Sequence, residues 1–158
     1  MLILNGSGNQ VHDCDADRNT SYGVEINGGS NNAVYDSNAA NNGKYGIWIR
    51  GSSGNRVQAA SANSNGNTGI YVGCADTAGP GGSCSTPGTG IENVIEHGRA
   101  DTNGVNGIGV VSGDIQNHIG HSPAGGNGTE DLIDENTTCG TNLWFVNSFT
   151  NASQTCIH

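Results

Sequence analysis

The stretch YGVEINGGSNNAVYDSNAANNGK (residues 22–44) is followed without a gap by YGIWIRGSSGNRVQAASANSNGN (residues 45–67). The two segments align residue by residue, so that Gly23 corresponds to Gly46, and Asn32 to Asn55, 23 positions later. A fixed period of this length is typical of solenoid proteins, in which each repeat forms one coil that stacks on the next. The repeat therefore takes precedence over local secondary-structure propensity.

The same period extends in both directions from this pair. Upstream, Asn9 belongs to a partial copy. Downstream, Gly107 follows Gly69 by 38 residues, which is one period plus an insertion of 15. Beyond the insertion, a weaker copy at Asn117 follows Asn93 by 24 residues. These copies predict about five rungs.

Each rung contains two short runs in which apolar residues alternate with other residues. In the first run of one rung, Ile47 and Ile49 flank Trp48, and the second run of that rung begins at Val57. A period of two predicts half-buried strands rather than helices. The Asn, Gly and Ser residues between the runs tolerate tight turns and left-handed backbone. We therefore predict an all-β fold in which successive rungs pair in parallel, about 4.8 Å apart.

Equivalent asparagines in stacked rungs should form amide ladders. We expect Asn32 to lie over Asn55, and Asn19 over Asn42 over Asn65. Over roughly residues 1–125 the rungs resemble the PbH1-type repeats of the right-handed parallel β-helix proteins in the pectate-lyase-like superfamily. The resemblance implies a single-stranded right-handed parallel β-helix. Such a resemblance is specific for fold and unspecific for function.

The domain division follows the repeat. We predict β-helix rungs over residues 1–131, with an insertion loop at about residues 73–90, and a C-terminal cap over residues 132–158. The period is expected to fail after Asp131. The cap concentrates large apolar side chains that would plug the last rung. These are Leu143, Trp144, Phe145 and Phe149.

Four of the five cysteines bracket segments that have little core of their own. Cys74 and Cys84 enclose the insertion, and Cys139 and Cys156 enclose the tail. We expect a disulfide in each pair, because neither spacing resembles that of a zinc site. Two local disulfides imply an oxidising compartment, so the protein is predicted to be extracellular, periplasmic or on the cell surface. Cys14 falls in an inward column and is expected to be a free thiol.

Charge limits the partners of the chain. The net charge is −9 and Lys44 is the only lysine, so nucleic acid and anionic membranes are poor partners. No apolar stretch is long enough to span a bilayer. Met1 to Leu4 already resemble a strand, which would leave strand edges exposed at the N-terminal end. We expect another chain, or further rungs, to cover that end.

One outward column is the candidate ligand site. Glu25, Trp48 and Tyr71 alternate with inward aliphatic residues, and Arg50 lies two residues beyond Trp48 on the same face. Exposed aromatic rings on adjacent rungs can stack on sugar rings, so the column predicts contact with a polysaccharide or a cell-surface glycan. The alternative is that Trp48 and Tyr71 pack under the insertion loop.

A second column brings two carboxylates close together. Asp13 and Asp36 are expected one rung apart, at about 5 Å. Such a pair shares a proton or holds a cation, and calcium is the candidate ion. Solvated surface is the alternative interpretation. The sequence requires no cofactor.

A third cluster supplies groups for acid–base chemistry. His97, Arg99 and Asp101 lie on one rung and provide a base, a charge neutraliser and an acid. They are the catalytic candidates, with solvated surface again as the alternative. The rungs lack both the aspartate set of polygalacturonases and an evident Lys/Arg pair for lyase-type β-elimination.

Three functions are compatible with these features. We favour a non-catalytic secreted or cell-surface β-helix segment that contacts polysaccharide near Trp48 and Tyr71. The alternative, which the family resemblance permits, is a polysaccharide lyase, hydrolase or C5-epimerase. A second alternative is a self-assembling fibre subunit.

Overall fold

The computed structural model describes residues 1–73 and 90–158. The strands are β1 (Leu2–Leu4), β2 (Gln10–His12), β3 (Val24–Asn27), β4 (Ala33–Tyr35), β5 (Ile47–Arg50), β6 (Arg56–Gln58), β7 (Ile70–Val72), β8 (Val94–Glu96), β9 (Asn106–Val110), β10 (His118–Gly120), β11 (Glu130–Asp134) and β12 (Leu143–Phe145). None of the described residues forms a helix of the length and apolar character that a membrane span requires.

The strands form two six-stranded parallel sheets. The odd-numbered strands β1 to β11 make sheet A, and the even-numbered strands β2 to β12 make sheet B. The register is the predicted one, with Val24 opposite Ile47 and Ile47 opposite Ile70. The all-β right-handed parallel solenoid is therefore confirmed. The predicted rungs are present, and β11 and β12 add one more strand to each sheet.

The core is a narrow column of small and aliphatic side chains between the sheets. Ile26, Ile49 and Val72 stack on one side of it, and Val34 and Val57 on the other, all with no exposed surface. Because every coil buries only a few side chains, much of the stability must come from contacts between neighbouring coils. Cys14 is a free thiol packed against this core, as predicted.

Both predicted asparagine ladders are present and longer than expected. In each step the backbone N–H and the side-chain amide of one asparagine both donate to the side-chain oxygen of the next, as between Asn32 and Asn55 at 3.0 and 3.1 Å. The first ladder contains Asn9, Asn32, Asn55, Asn93, Asn117 and Asn142. The second contains Asn19, Asn42, Asn65, Asn103 and Asn127.

A carboxylate ends the second ladder. Asp131 accepts from the Asn127 amide at 2.9 Å and from the backbone N–H of Thr150 at 2.8 Å. Desolvation alone would raise the pKa of Asp131, but the hydrogen bonds from Asn127, Thr150 and Asn151 outweigh it and lower that pKa. Because the Asp131 carboxylate accepts hydrogen bonds and has no N–H group of its own, the ladder ends there with no amide N–H group left unpaired.

Left-handed backbone turns one corner of every coil, whereas the Asn, Gly and Ser residues of the sequence indicated such turns only in general terms. At the corner after sheet B, φ is about +50° at every coil, although none of the residues there is glycine. These residues are Asp13, Asp36, Ala59, His97, His121 and Val146. Left-handed backbone is uncommon for residues other than glycine, so the stacked neighbours must impose it.

The C-terminal segment is held by a disulfide and by buried aromatic packing. Cys139 and Cys156 are bonded with a Cα–Cα distance of 5.8 Å, as predicted. Trp144 is buried in the core and Phe149 packs against it. Leu143 instead lies half exposed on the outside of β12. The expected plug is therefore formed by only some of its predicted members.

Strand pairing continues beyond Asp131, where the repeat was expected to fail. Trp144 occupies the inward position beside Ile119, where the earlier coils have an aliphatic residue. This substitution made the last copy of the repeat difficult to recognise in the sequence. The division into rungs and cap stays a prediction. The insertion loop and the expected Cys74–Cys84 disulfide lie outside the described residues.

Candidate functional site

A second apolar cluster lies on the outer face of sheet A, apart from the solenoid core. Strand pairing places Glu25 beside Trp48 and Trp48 beside Tyr71, as the period predicted. The cluster consists of Trp48, Tyr71, Tyr45 and Val111, with Tyr22 packed against it. We name it the outer aromatic cluster.

The predicted exposure of Trp48 and Tyr71 is wrong. Trp48 has no exposed surface and Tyr71 retains 6%. The Trp48 indole packs 5.2 Å from the Tyr45 ring and donates its N–H to the Gly73 carbonyl at 2.7 Å. The two rings point away from the core but are covered, so they do not offer free faces for stacking on a sugar.

Tyr22 and Tyr45 were missed because they precede the strands. Both stand directly before a repeat glycine, 23 residues apart, and that equal spacing was the available signal. Their rings stack with an interplanar angle of 13°, and Tyr45 stacks in turn on Tyr71 at 5.1 Å. Tyr22 and Tyr45 share one register, and Tyr71, which lies beside Trp48, continues the stack on the outside of the solenoid.

Charged side chains border this cluster. The Arg50 guanidinium lies over the Trp48 ring at 4.9 Å and reaches the Glu25 carboxylate at 3.8 Å. Asn27 also donates to Glu25, at 3.0 Å. The Lys44 ammonium lies 5.8 Å from the centre of the Tyr22 ring. Arg50 keeps 41% of its side chain exposed, whereas Glu25 keeps 12%. A solvent-facing cation is thereby held in a defined orientation by a ring and a carboxylate.

The Tyr71 hydroxyl is a neutral group at physiological pH. Burial, followed by the charges of Glu135, Tyr45 and Asp114, raises the pKa of Tyr71 far above its ordinary value. A phenol held neutral in this way can donate a hydrogen bond but does not serve as a base.

Asp114 is a buried carboxyl group beside the same cluster. Its side chain has no exposed surface, and Gly90 N–H donates to one of its oxygens at 3.0 Å. Within residues 1–73 and 90–158 the other oxygen has no hydrogen-bond partner. Burial raises the pKa of Asp114, and the hydrogen bond from Gly90 offsets only part of that rise.

Replacing this carboxyl group should stabilise the fold in a pH-dependent way. Because the pKa of Asp114 is raised in the folded protein, its contribution to the free energy of unfolding is fully present below the pKa of the unfolded chain, about 4. That contribution is lost as pH rises through the pKa of the folded protein. Each unit of difference costs about 1.4 kcal/mol at higher pH. We therefore expect Asp114→Asn to raise the melting temperature, and to do so more at pH 8 than at pH 4.

Paired thermal melts of the two proteins across this pH range check the prediction. The opposite pH dependence of Asp131 is common to both proteins and cancels in the difference. A difference in melting temperature that stays constant with pH would contradict a buried, uncompensated carboxyl group at Asp114.

The Asp13 and Asp36 carboxylates are bridged by a histidine. The His12 ring contacts Asp13 through Nδ1 at 2.8 Å and Asp36 through Nε2 at 3.3 Å. Among the described residues no group of three or more His, Cys, Asp or Glu side chains is arranged to hold a metal ion. The calcium site stays a prediction.

The catalytic candidates divide into one pair and one separate residue. Arg99 pairs with Asp101 at 2.5 Å, whereas the His97 ring stacks on the His121 ring at 5.3 Å. His121 in turn meets the edge of Phe145. A cleft of about 300 Å³ borders the Arg99–Asp101 pair. Two of the three candidates are thus in contact with each other, and the catalytic role stays a prediction.

Comparison with known proteins identifies the architecture. The family model described as "Right handed beta helix region" matches residues 1–156. No curated protein matches the sequence. Among solved structures, the periplasmic alginate epimerase AlgG superposes with a TM-score of 0.74 at 14% identity, over 93% of this chain and 35% of AlgG.

Two further solved structures are similar. Pectate lyase Pel9A gives a TM-score of 0.66 at 20% identity, over 95% of this chain and 48% of that protein. The Agl-KA catalytic domain gives 0.61 at 15% identity, over 96% and 28%. The chain thus spans less than half of each of these neighbours, and at such identities the likeness concerns the fold.

Proposed function

Because the chain belongs to the right-handed β-helix family, we propose that it is a non-catalytic unit that contacts polysaccharide on the outer face of sheet A. The contact group is the Arg50–Glu25 pair above the outer aromatic cluster. The names of the structural neighbours, an alginate epimerase and a pectate lyase, support polysaccharide as the ligand class.

One observation carries the proposal, namely that Arg50 is oriented before any ligand arrives. Its guanidinium is held over Trp48 and beside Glu25, yet a large part of the side chain faces solvent. An oriented guanidinium can donate several hydrogen bonds to a ligand in a fixed geometry, and the adjacent carboxylate can accept hydrogen bonds from the same ligand. Sugar hydroxyls both donate and accept, so a fixed pair of this kind recognises neighbouring hydroxyls with little loss of side-chain entropy.

The buried rings have a different role from the one that the sequence suggested. Trp48 supports Arg50 from below instead of stacking on a sugar. Tyr22, which is half buried, is the member of the cluster with a partly accessible ring. Trp48 substitutions should therefore weaken binding indirectly, through the position of Arg50.

The experiment is a binding screen with isothermal titration calorimetry. Alginate, pectate, xylan and glucan are tested against the wild-type protein, Arg50→Ala and Arg18→Ala. Arg18 is exposed, so its removal makes the same charge change elsewhere. We expect about tenfold weaker binding for Arg50→Ala, which corresponds to about 1.4 kcal/mol, and unchanged binding for Arg18→Ala. Equal losses in both variants, or no binding by the wild type, would refute the proposal.

A polysaccharide-active enzyme is the second candidate. The observation that favours it is the cleft beside Arg99 and Asp101, where a guanidinium and a carboxylate meet at the surface. Prolonged incubation with the same polysaccharides should then release shorter products or change the sugar epimer. That activity would be lost in Arg99→Ala and in His97→Ala.

The disulfide supports an extracellular or periplasmic location. Structural disulfides such as that between Cys139 and Cys156 form and persist mainly in oxidising compartments. Polysaccharides of envelopes and cell walls are met in the same compartment, so location and ligand class are mutually consistent.

A further inference from the structure

A groove follows the corner at which the chain passes from sheet A to sheet B. One part, of about 470 Å³, is lined by Glu92, Val94, Gln116, His118, Thr141 and Leu143. An adjoining part, of about 600 Å³, shares Glu92 and Gln116 and continues past Ser53 to Gly29. We name the two parts together the corner groove. Volumes of this size are typical of small-molecule sites.

The groove runs along the axis of the solenoid. Gly29, Ser53, Glu92, Gln116 and Thr141 occupy this corner in five successive coils. Because successive coils are about 4.8 Å apart, the corner groove is about 19 Å long. Its shape suits an extended, chain-like ligand.

Three polar side chains in the groove have unused hydrogen-bonding capacity. Glu92, Gln116 and His118 are exposed, and no side-chain hydrogen bond or ion pair within residues 1–73 and 90–158 engages them. Arg56 behaves differently. It lies beside Val94 on the preceding coil, outside the groove, and it donates hydrogen bonds to both Gln58 and Glu96. Within the described residues, Arg56 is thus satisfied by its neighbours, whereas Glu92, Gln116 and His118 have no such side-chain partner.

The remaining lining sets the ligand chemistry. Val94 and Leu143 offer apolar steps on either side of His118, and Leu143 is half exposed. Glu92 is the only charged side chain among the described lining residues. A ligand with many hydroxyl groups, apolar C–H faces and no negative charge fits this combination, whereas an anionic chain would meet Glu92 without a cation to balance it.

We infer that the corner groove binds a neutral oligosaccharide along the solenoid axis. Hydroxyl groups bond to Glu92, Gln116 and His118, and sugar C–H faces pack on Val94 and Leu143. The inference shares its ligand class with the proposed function but uses none of the same residues. Each can therefore fail without the other, since Arg50 lies on the outer face of sheet A.

The test follows the His118 ring signals by NMR while the full chain is titrated with cellotetraose, mannotetraose or tetragalacturonate. We expect saturable shifts with a neutral tetrasaccharide and none with tetragalacturonate. His118→Ala, followed through the side-chain amide signals of Gln116, and Leu143→Ala should each raise the dissociation constant about tenfold. Both side chains are exposed, so the variants should melt like the wild type.

Two matched controls separate this groove from other surfaces. His97→Ala removes an imidazole that is also exposed, at another corner, and Arg50→Ala removes the site of the proposed function. Neither should change the dissociation constant that the His118 ring signals report for the neutral tetrasaccharide in the corner groove. The inference is overturned if neither neutral sugar shifts His118, if tetragalacturonate binds there instead, or if the groove variants bind like His97→Ala.

Discussion

Gly66→Ala should destabilise the protein by about 3 kcal/mol or more, which lowers the melting temperature by about 10 °C. The methyl group would overlap the carbonyl oxygen of Gly43 on the preceding coil. That obstacle is backbone, which cannot rotate away. The two coils must separate, and the hydrogen bonds between them lengthen. Thermal unfolding followed by circular dichroism measures the loss.

Gly125→Ala is the matched control. There a methyl group would meet only the Asp101 carboxylate oxygen, at 3.8 Å, which is an ordinary contact. We expect a change within about 0.5 kcal/mol. If Gly66→Ala melted like Gly125→Ala, the close approach of successive coils at this corner would be wrong.

The same close approach recurs along the stack, and its sequence signal was ambiguous. Gly43, Gly66, Gly104 and Gly128 each lie against the carbonyl of the residue one coil earlier, and each follows a ladder asparagine. An Asn-Gly pair usually indicates a turn that needs positive φ. Here φ is not positive at these glycines, and the missing side chain makes room for the neighbouring coil.

The fold was predictable because every coil repeats the same physical demands. A valine or isoleucine every second residue sets the strand direction, and an asparagine at a fixed register sets the corners, so Asn32 and Asn55 were enough to define the stacking. The last coil was not predicted, because Trp144 and Asp131 replace the repeat residues at the C-terminal end of the solenoid. Terminal coils solve a different packing problem from internal ones.

The sequence predicted that the side chains of the candidate site point away from the core, but it did not predict that other residues bury them. Alternation within β5 places Trp48 outside the core, and pairing places it beside Tyr71. Whether an outward ring is exposed depends on residues from other parts of the coil, here Tyr45, Val111 and the Gly73 carbonyl. Strand periodicity contains no information about those neighbours. The corner groove likewise combines turns from five coils, so it has no local sequence signature.

The asparagine ladder gives the second large expected effect. Asn55→Ala should cost about 3 to 5 kcal/mol, because Asn55 is fully buried and its oxygen accepts two hydrogen bonds from Asn32. Its amide also donates to Ser52 and Asn93. Each buried donor left without a partner costs about 1 to 3 kcal/mol. Urea unfolding monitored by circular dichroism measures the difference.

Two companions of Asn55→Ala test whether the ladder itself is responsible. Asn38→Ala removes an amide that donates to the partly exposed Asp15 and Asp17, and it should cost no more than about 1 kcal/mol. Asn55→Asp keeps the acceptor for Asn32 but sets a carboxylate oxygen against the Asn93 oxygen. Burial should raise the pKa of the new carboxyl group, so its penalty grows as pH rises above about 4.

In acid the protonated carboxyl group can donate where the amide did, and Asn55→Asp should then be more stable than Asn55→Ala. If Asn55→Asp exceeds Asn55→Ala in stability by the same amount at every pH, donation along the ladder contributes nothing, and its stabilisation comes from the accepting oxygen alone. The comparison thus separates the two halves of one amide, and it does so at a position where neither half is accessible to water.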